Sequence, residues 1–329
     1  MKRLIAALAL LVVLGGIEYV TGVEVMGDLD LVPEQWERPA RTAEAPPTAA
    51  APAPSAAPAQ TPPAKAAPAD ATVRFVTWNL YNFGRSKNAE EIAFVAEQLR
   101  EYEVVAIQEI STSPPGPQAI GRLVDALDRT GFNWDYTISD PTTGDGTERY
   151  AFLWKPSRVR LVGRAWLEDR LADTIDREPY CARFEHVGTG QRMLVASLHA
   201  IPRSKDPETE IRQLHALHDR YPDDNVMVVG DFNLDGEDEA FNGLRRRGYA
   251  MVLHDQKTSL GRKVDPGPQG HLASEYDNIF YETATLDAVR RGVIDFTQQF
   301  PSLRAARKIS DHLPVYMHVG WDAVPPAQP

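Results

Sequence analysis

Between residues 72 and 320 the chain alternates two patterns, and this alternation restricts its fold more than any other feature. Runs at 73–78, 104–107, 150–154, 193–198, 226–229, 278–281 and 313–319 are short, rich in β-branched and aromatic residues, and bounded by polar, Gly or Pro positions, as strands are. Between them, 89–100, 117–129 and 207–220 carry apolar residues at three- and four-residue spacing, for example Ile92, Val95, Ala96 and Leu99, the stripe of an amphipathic helix. Several of the strands are apolar throughout and must be covered on both faces. The pattern therefore predicts a layered α/β or α+β sandwich. Hydrophobic residues make up 43% of the 329, enough for one large core.

The flanks read differently. Lys2 and Arg3 precede an apolar run from Leu4 to Ile17 that Glu18 ends. That run matches a signal-peptide core of about 7–15 residues and falls short of the roughly 20 a spanning helix needs. No Ala-x-Ala site follows, and 19–25 can extend the run, so 1–25 is expected to be a signal peptide or an N-terminal membrane anchor. The absence of cysteine near residue 20 excludes a lipidated start. Residues 26–71, almost all Ala, Pro and Thr from Pro39 to Asp70, read as a disordered linker, 72–320 as the folded domain, and 321–329 as a disordered tail. Export follows: a periplasmic or extracellular protein, or one anchored on the outer side of the inner membrane. The single cysteine, Cys181, forbids an internal disulfide or a thiolate zinc cluster and reads as a small buried hydrophobe. A net charge of −11 argues against coating nucleic acid through bulk positive charge, though not against gripping phosphate through metal ions and local arginines.

The strands repeatedly end on residues that a core rejects. Thr77-Trp78-Asn79, Ile107-Gln108-Glu109, Ser197-Leu198-His199 and Gly230-Asp231-Phe232-Asn233 close strands, Tyr276-Asp277-Asn278 opens one, and Ser310-Asp311-His312 precedes the last. A buried strand end is an expensive place for a charge unless something binds it, so these ends are expected to converge on one edge of the sheets. Hard oxygen ligands such as Asn79, Glu109, Asp231, Asn233 and Asp311 suit Mg²⁺ or Mn²⁺. His199 and His312 can serve as acid and base, each with an orienting carboxylate. These are the parts for hydrolysing a phosphoester.

At this point the chain resembles the endonuclease/exonuclease/phosphatase superfamily, and within it the deoxyribonuclease I branch. Beyond the strand ends, the stretch Thr147-Glu148-Arg149-Tyr150-Ala151-Phe152-Leu153-Trp154-Lys155-Pro156, the motif Arg177-Glu178-Pro179 and the motif Leu198-His199-Ala200-Ile201-Pro202 carry the likeness, in family order across 73–319. The resemblance implies a four-layered fold, two packed mixed β-sheets flanked by helices, with the site at one edge. It implies that Glu109 and Asn79 hold the main divalent ion with Asp311 close by. Asp231 and Asn233 would position the scissile phosphate and attacking water, or a second ion. His199 would pair with Glu148 and His312 with Asp277, with the roles of acid and base open between the two dyads. Arg177 and Tyr276 would contact substrate phosphate, and the products would carry a 5′-phosphate and a 3′-hydroxyl. Two departures stand out: the disulfides of the secreted animal enzyme are absent, and Asn278 follows Asp277 where that enzyme has arginine. A structural Ca²⁺ in an acidic loop such as 168–178, with Glu168, Asp169, Asp173 and Asp176, would offset the missing disulfides.

Several other residues read blandly. Trp78 and Trp154 belong to the core; His186, His215, His218 and His254 are ordinary histidines; Arg245-Arg246-Arg247 is a solvated face. His271, in a Gly/Pro-rich loop, is a candidate substrate contact, and Arg304-Ala305-Ala306-Arg307-Lys308 lies near the site mouth, where it can meet backbone phosphates without reading bases. The leading expectation is an exported, monomeric, Mg²⁺-dependent endonuclease of low specificity acting on DNA, tethered to a membrane if the leader is retained. The alternative keeps the fold and changes the substrate to a phospholipid, inositol phosphate or other small phosphoester, but the loops at 144–148, 203–208 and 261–270 are polar, unlike a lipid-facing rim.

Overall fold

A strand that is apolar on both faces has to be covered twice, and β1 (Val73–Phe83) shows how this chain does so. Val73 and Phe75 enter one apolar layer while Val76, Trp78 and Leu80 enter another, and all are buried. The computed structural model describes residues 71–84 and 87–321. The leader expected at 1–25, the linker through residue 70 and the tail from residue 322 lie outside the described residues. No described helix is long and apolar enough to cross a membrane.

Two six-stranded mixed sheets carry the fold. The first orders β11 (Leu286–Val293), β12 (Val315–Trp321), β1, β2 (Val104–Ile110), β4 (Arg149–Trp154) and β3 (Asp135–Ile138). The second orders β5 (Val159–Leu167), β6 (Tyr180–His186), β7 (Arg192–His199), β8 (Val226–Asp231), β10 (Asp277–Glu282) and β9 (Tyr249–Met251). The parallel pairs β1–β2 and β7–β8 need crossovers, which α1 (Ala89–Leu99) supplies for one and α3 (Glu208–Ile211) with α4 (His215–Arg220) for the other. Asn88 caps α1, accepting from Glu91 N at 2.8 Å while Glu91 accepts from Asn88 N at 3.0 Å. Such a cap stabilises the helix start by about 1 kcal/mol.

Phe75, Val104, Phe152, Phe184, Val195 and Val229 fill the layer between the sheets. Outside the first sheet, Trp78 and Leu80 pack with Ile92, Val95 and Leu99 of α1 and with Ile120 and Leu123 of α2 (Pro115–Asp128). Outside the second, Leu194, Leu198, Val228 and Phe280 meet Ile211, Leu217 and Leu244, the last on α5 (Asn242–Arg245). The result is the four-layered sandwich expected from the sequence. Trp78, Trp154 and Cys181 are buried as expected.

Some details differ from the sequence pattern. The helix expected at 207–220 is two short helices, because i→i−3 bonds from Gln213 N to Glu210 O and from Leu214 N to Ile211 O tighten the chain between them. Helix α2 starts at Pro115, where the missing N–H costs no intrahelical bond. The strands β3, β5, β9 and β11 escaped the pattern because they are the four sheet edges, part-exposed and interrupted by residues such as Gly163, Arg164, Arg290 and Arg291, and the interior strand β6 escaped it because Arg183 and Glu185 break its apolar run.

Candidate active site

Side chains alternate along a strand, so the parity that puts Val73 and Phe75 between the sheets also puts Thr77 and Asn79 there. The same count brings Gln108 from β2, Ser197 and His199 from β7, Asp231 from β8 and Asp277 from β10 into that layer. Register aligns them: Asn79 lies opposite Gln108, and His199 opposite Asp231, which lies opposite Asp277. The inter-sheet layer is thus apolar along most of its length and polar at the carboxyl ends of the parallel strands, where open α/β sheets place their sites. Gln108 marks the boundary, donating to Thr77 Oγ1 at 2.9 Å and across to Ser197 Oγ at 2.8 Å.

Beyond that boundary the expected residues meet. His199 Nδ1 lies 2.8 Å from Glu148 Oε2, and His312 Nδ1 lies 2.7 Å from Asp277 Oδ2. The other nitrogen of each ring, Nε2, lies 3.5 Å from the same atom, Asp231 Oδ2. Asn79 Nδ2 donates both to Asp231 Oδ2 and to Glu109 Oε1, each at 3.0 Å. Asn233 N donates to Asp231 Oδ1 at 2.9 Å and Asn233 Nδ2 to Ala200 O at 3.0 Å. Glu109 and Asn233 hold left-handed backbone, φ +60° and +49°, a strain of the kind that collects at functional sites.

The remaining expected residues are placed less directly. Arg177 is buried; its Nε donates to His199 O at 2.7 Å, its Nη2 to Ala200 O, and its Nη1 lies 3.6 Å from Glu148 Oε2, so most of the guanidinium braces the His199 backbone. Asp311 pairs with Arg307 at 3.0 Å, while its Oδ1 is buried with no hydrogen-bond partner. Tyr276 gives its carbonyl to Phe232 N at 2.8 Å, and no hydrogen bond joins its hydroxyl to the described cluster. His271 pairs with Asp295 at 2.8 Å. In the acidic loop, Glu168 is taken by Arg220 and Tyr221, and Asp176 accepts from Asp145 N and Gly146 N, both at 2.8 Å.

Residues not expected at the site from the sequence complete the frame. Thr258 donates its hydroxyl to Asp277 Oδ2 at 2.7 Å and accepts from Asp277 N at 2.9 Å. Ser310 Oγ donates to Asn79 O at 2.6 Å and accepts from His312 N at 3.0 Å, and Trp78 Nε1 donates to His312 O at 2.8 Å, which stitches the His312 loop to β1. Buried Lys87 donates to Lys308 O and Ile309 O, at 2.6 and 2.7 Å. Only spatial proximity reveals Thr258 and Lys87, whereas Trp78 and Ser310 stand within the strand-end stretches Thr77-Trp78-Asn79 and Ser310-Asp311-His312.

Electrostatics follows burial and pairing. Burial opposes charge on both imidazoles. Asp277 and Asp231 overcome it at His312 and hold that ring well above the usual histidine range, while Glu148 raises His199 against the opposing Arg177. Burial favours the neutral acid at Asp231, but His312 and His199 outweigh it and keep the carboxyl below its usual range. Burial lifts Asp277, against the pull of His312.

Asp231, Asp277 and His312 each offer a ligand atom within 4.8 Å of the others. Asp277 Oδ2 is already bound by His312 and Thr258, so we read these three as a hydrogen-bonded relay. A hard cation fits better at Glu109 and Asn79, where a single neutral amide nitrogen serves two carboxylates and the Glu109 side chain keeps 21% exposure.

Residues 76–312 match the model of the endonuclease/exonuclease/phosphatase family. The chain is 30% identical over 267 residues to a deoxyribonuclease of the bacterium Thioalkalivibrio sp., spanning 75% of this chain and 71% of that protein. It is 28% identical over 180 residues to deoxyribonuclease-1 of Bos taurus, spanning 50% of this chain and 61% of that one. The fold is shared with a mannosyl-6-phosphatase of Bacteroides thetaiotaomicron, with TM-score 0.56 and 18% identity over 76% of this chain and all of that one. With the sandwich, the polar end of its inner layer and these likenesses together, the chain belongs to the endonuclease/exonuclease/phosphatase family, in its deoxyribonuclease I-like branch.

Proposed function

We propose that the chain is an exported, divalent-metal-dependent phosphodiesterase that acts as a DNA endonuclease of low sequence specificity. The observation that carries this reading is the symmetric placement of Asp231 Oδ2, 3.5 Å from the free nitrogen of each histidine–carboxylate dyad. An in-line displacement at phosphorus needs a proton taken from water on one side and given to the leaving oxygen on the other. Two imidazoles held apart around one carboxylate provide for both. Glu148 and Asp277 fix the orientation and tautomer of the rings, and Asp231 with Asn233 positions the water and phosphate between them. Arg177 through Nη1, together with Tyr276, would grip a substrate phosphate. Glu109 and Asn79, with Asp311 beside them, would hold Mg²⁺ or Mn²⁺, which when bound supplies charge neutralisation at the phosphoryl oxygens. A structural Ca²⁺ near the 168–178 loop is supported by exposed Asp169 and Asp173 and by Glu178 Oε1, buried without a partner.

The relatives named as deoxyribonucleases support DNA as substrate, and the leader at 1–25 supports export, which would keep such an enzyme away from its own genome. Supercoiled plasmid incubated with the purified chain and Mg²⁺ should become nicked. EDTA should stop the nicking, and His199→Ala should slow it by about 10²–10⁴-fold. An intact plasmid alongside product released from phosphoinositides or sphingomyelin would replace this reading with the small-phosphoester one.

A further inference from the structure

Tyr81 stands two residues beyond Asn79 and departs from what its position should favour. Its backbone lies at φ +39° and that of Asn82 at +50°, consecutive left-handed residues of which a bulky aromatic is the costlier occupant. The turn is fixed by the site itself: Tyr81 N donates to Asn79 Oδ1 at 3.0 Å and Asn82 N to Glu109 Oε2 at 2.8 Å. Despite that strain, the ring is not buried; Tyr81 is 45% exposed. A lone surface aromatic needs no explanation. This one lines a cleft of about 290 Å³ that is also lined by His199 and Glu148 of the dyad and by the hydroxyl-bearing Ser111, Thr112 and Thr147. The volume is at the low end of the roughly 300–1,000 Å³ of small-ligand sites, room for one nucleoside and not for a stack of bases.

We propose that this cleft is a subsite for the base and sugar of one nucleotide flanking the scissile phosphate, taken out of the stack and laid on the Tyr81 ring. The inference rests on the nuclease reading and adds a substrate class, since DNA whose bases are unpaired or easily unstacked enters most readily. A half-exposed ring in the same cleft as a catalytic dyad offers any base a π-face, and the hydroxyls that share the cleft lining suit a sugar or a base edge. The strain at Tyr81 is then tolerated because it aims the ring into the cleft.

The test uses the full chain with Mg²⁺ and single-stranded oligonucleotides in which one abasic position is scanned along the strand. The wild type should cut poorly wherever the abasic position falls on one fixed side of the scissile phosphate. Tyr81→Ala should lose about 5- to 150-fold in kcat/KM on intact single strands, the value of one stacked base, and should no longer distinguish abasic positions. Tyr81→Trp should restore both. Tyr81→Gly should behave as the alanine variant while melting higher than the wild type, which a purely structural tyrosine would not do. Tyr81→Ala cutting intact strands at the wild-type rate, or keeping the abasic discrimination, overturns the subsite and leaves the nuclease reading standing. A wild type that cuts no DNA overturns both.

Discussion

Replacing Asp277 with asparagine tests the His312 dyad with almost no change of shape. Asp277 is buried, and its Oδ2 accepts from His312 Nδ1 and from Thr258 Oγ1, both at 2.7 Å. The amide keeps an oxygen for these donors and removes the charge. Burial disfavours an imidazolium at His312, and it is Asp277 together with Asp231 that reverses this preference. A hydrogen bond to a charged group is worth about 1.5–3 kcal/mol, and for a domain of this size each kcal/mol moves the melting midpoint by about 2–4 °C. Asp277→Asn should therefore melt about 3–12 °C lower. The deficit has a fixed pH direction. A histidine whose folded pKa exceeds its unfolded value gives its full stabilisation below the unfolded value, about 6.5, and loses it as pH rises through the folded one. The gap between the two proteins should be widest near neutral or slightly acid pH and close in alkali. Calorimetry of both chains in EDTA, stepped from about pH 6 upward, isolates the dyad from any bound cation. Plasmid nicking with Mg²⁺ should fall by about 10²–10⁴-fold. A melting deficit that is flat or grows with pH, or nicking at the wild-type rate, would refute the dyad.

Two further substitutions probe the frame around the site. Lys87→Met keeps the buried stem but leaves the Lys308 and Ile309 carbonyls unpaired, at about 1–3 kcal/mol each, and should lower the melting midpoint. Coulomb's law alone predicts tighter Mn²⁺ binding once this cation is removed from beside Glu91, Asp311 and Glu109; loss of the anchor for the Asp311 turn predicts weaker binding. We expect the weaker, and titration calorimetry showing the tighter would mean that Lys87 does not position the turn. Gly230→Ala puts a Cβ 2.1 Å from Leu198 O at φ +126°, between the strands that carry His199 and Asp231. It should destabilise the chain by about 3 kcal/mol or more in urea unfolding, and wild-type stability would contradict the close strand approach.

The sequence made the layered architecture legible because its central strands are buried on both faces and read as continuous apolar runs. The four edge strands were not legible: there solvent takes one side, charges such as Arg160, Arg290 and Arg291 interrupt the alternation, and bulges at 162–166 and 288–290 shift its phase; nor was the interior strand β6, whose Arg183 and Glu185 break its apolar run. The site was legible for a related reason. A carboxylate or histidine at the end of an apolar strand is conspicuous, and strand parity then dictates which layer it enters. Thr258, Lys87 and Tyr81 were not legible, since a hydroxyl, an ammonium and a ring on loops look like any other surface residues until the fold brings the first two to Asp277 and the carbonyl of Ile309 and sets the third in a cleft. Arg177 shows how a motif can name a residue without naming its contacts, because most of its guanidinium supports the backbone of His199.

Charge balance around the site bears on the valence of the cation that Glu109 and Asn79 would hold. Glu109, Glu148, Asp231, Asp277 and Asp311 are five carboxylates, and a phosphodiester adds a sixth negative charge. Against them stand Arg177, Arg307, Lys87 and the two imidazoles. Acid–base chemistry needs one imidazole charged and one neutral at the outset, so four positive charges face six negative ones. A single divalent cation at Glu109 and Asn79 would cancel this excess of two. A monovalent ion would leave half the excess in place, so high Na⁺ or K⁺ should not substitute for Mg²⁺ in sustaining nicking. Occupancy by the divalent ion at Glu109 and Asp311 should in turn lower the proton affinity of His199 and His312 by adding positive charge beside them, Glu109 Oε1 lying 3.9 Å from His199 Nε2. The pH at which activity rises should accordingly lie below the range over which the metal-free histidines titrate, and coincidence of the two would show that the cation binds away from these carboxylates.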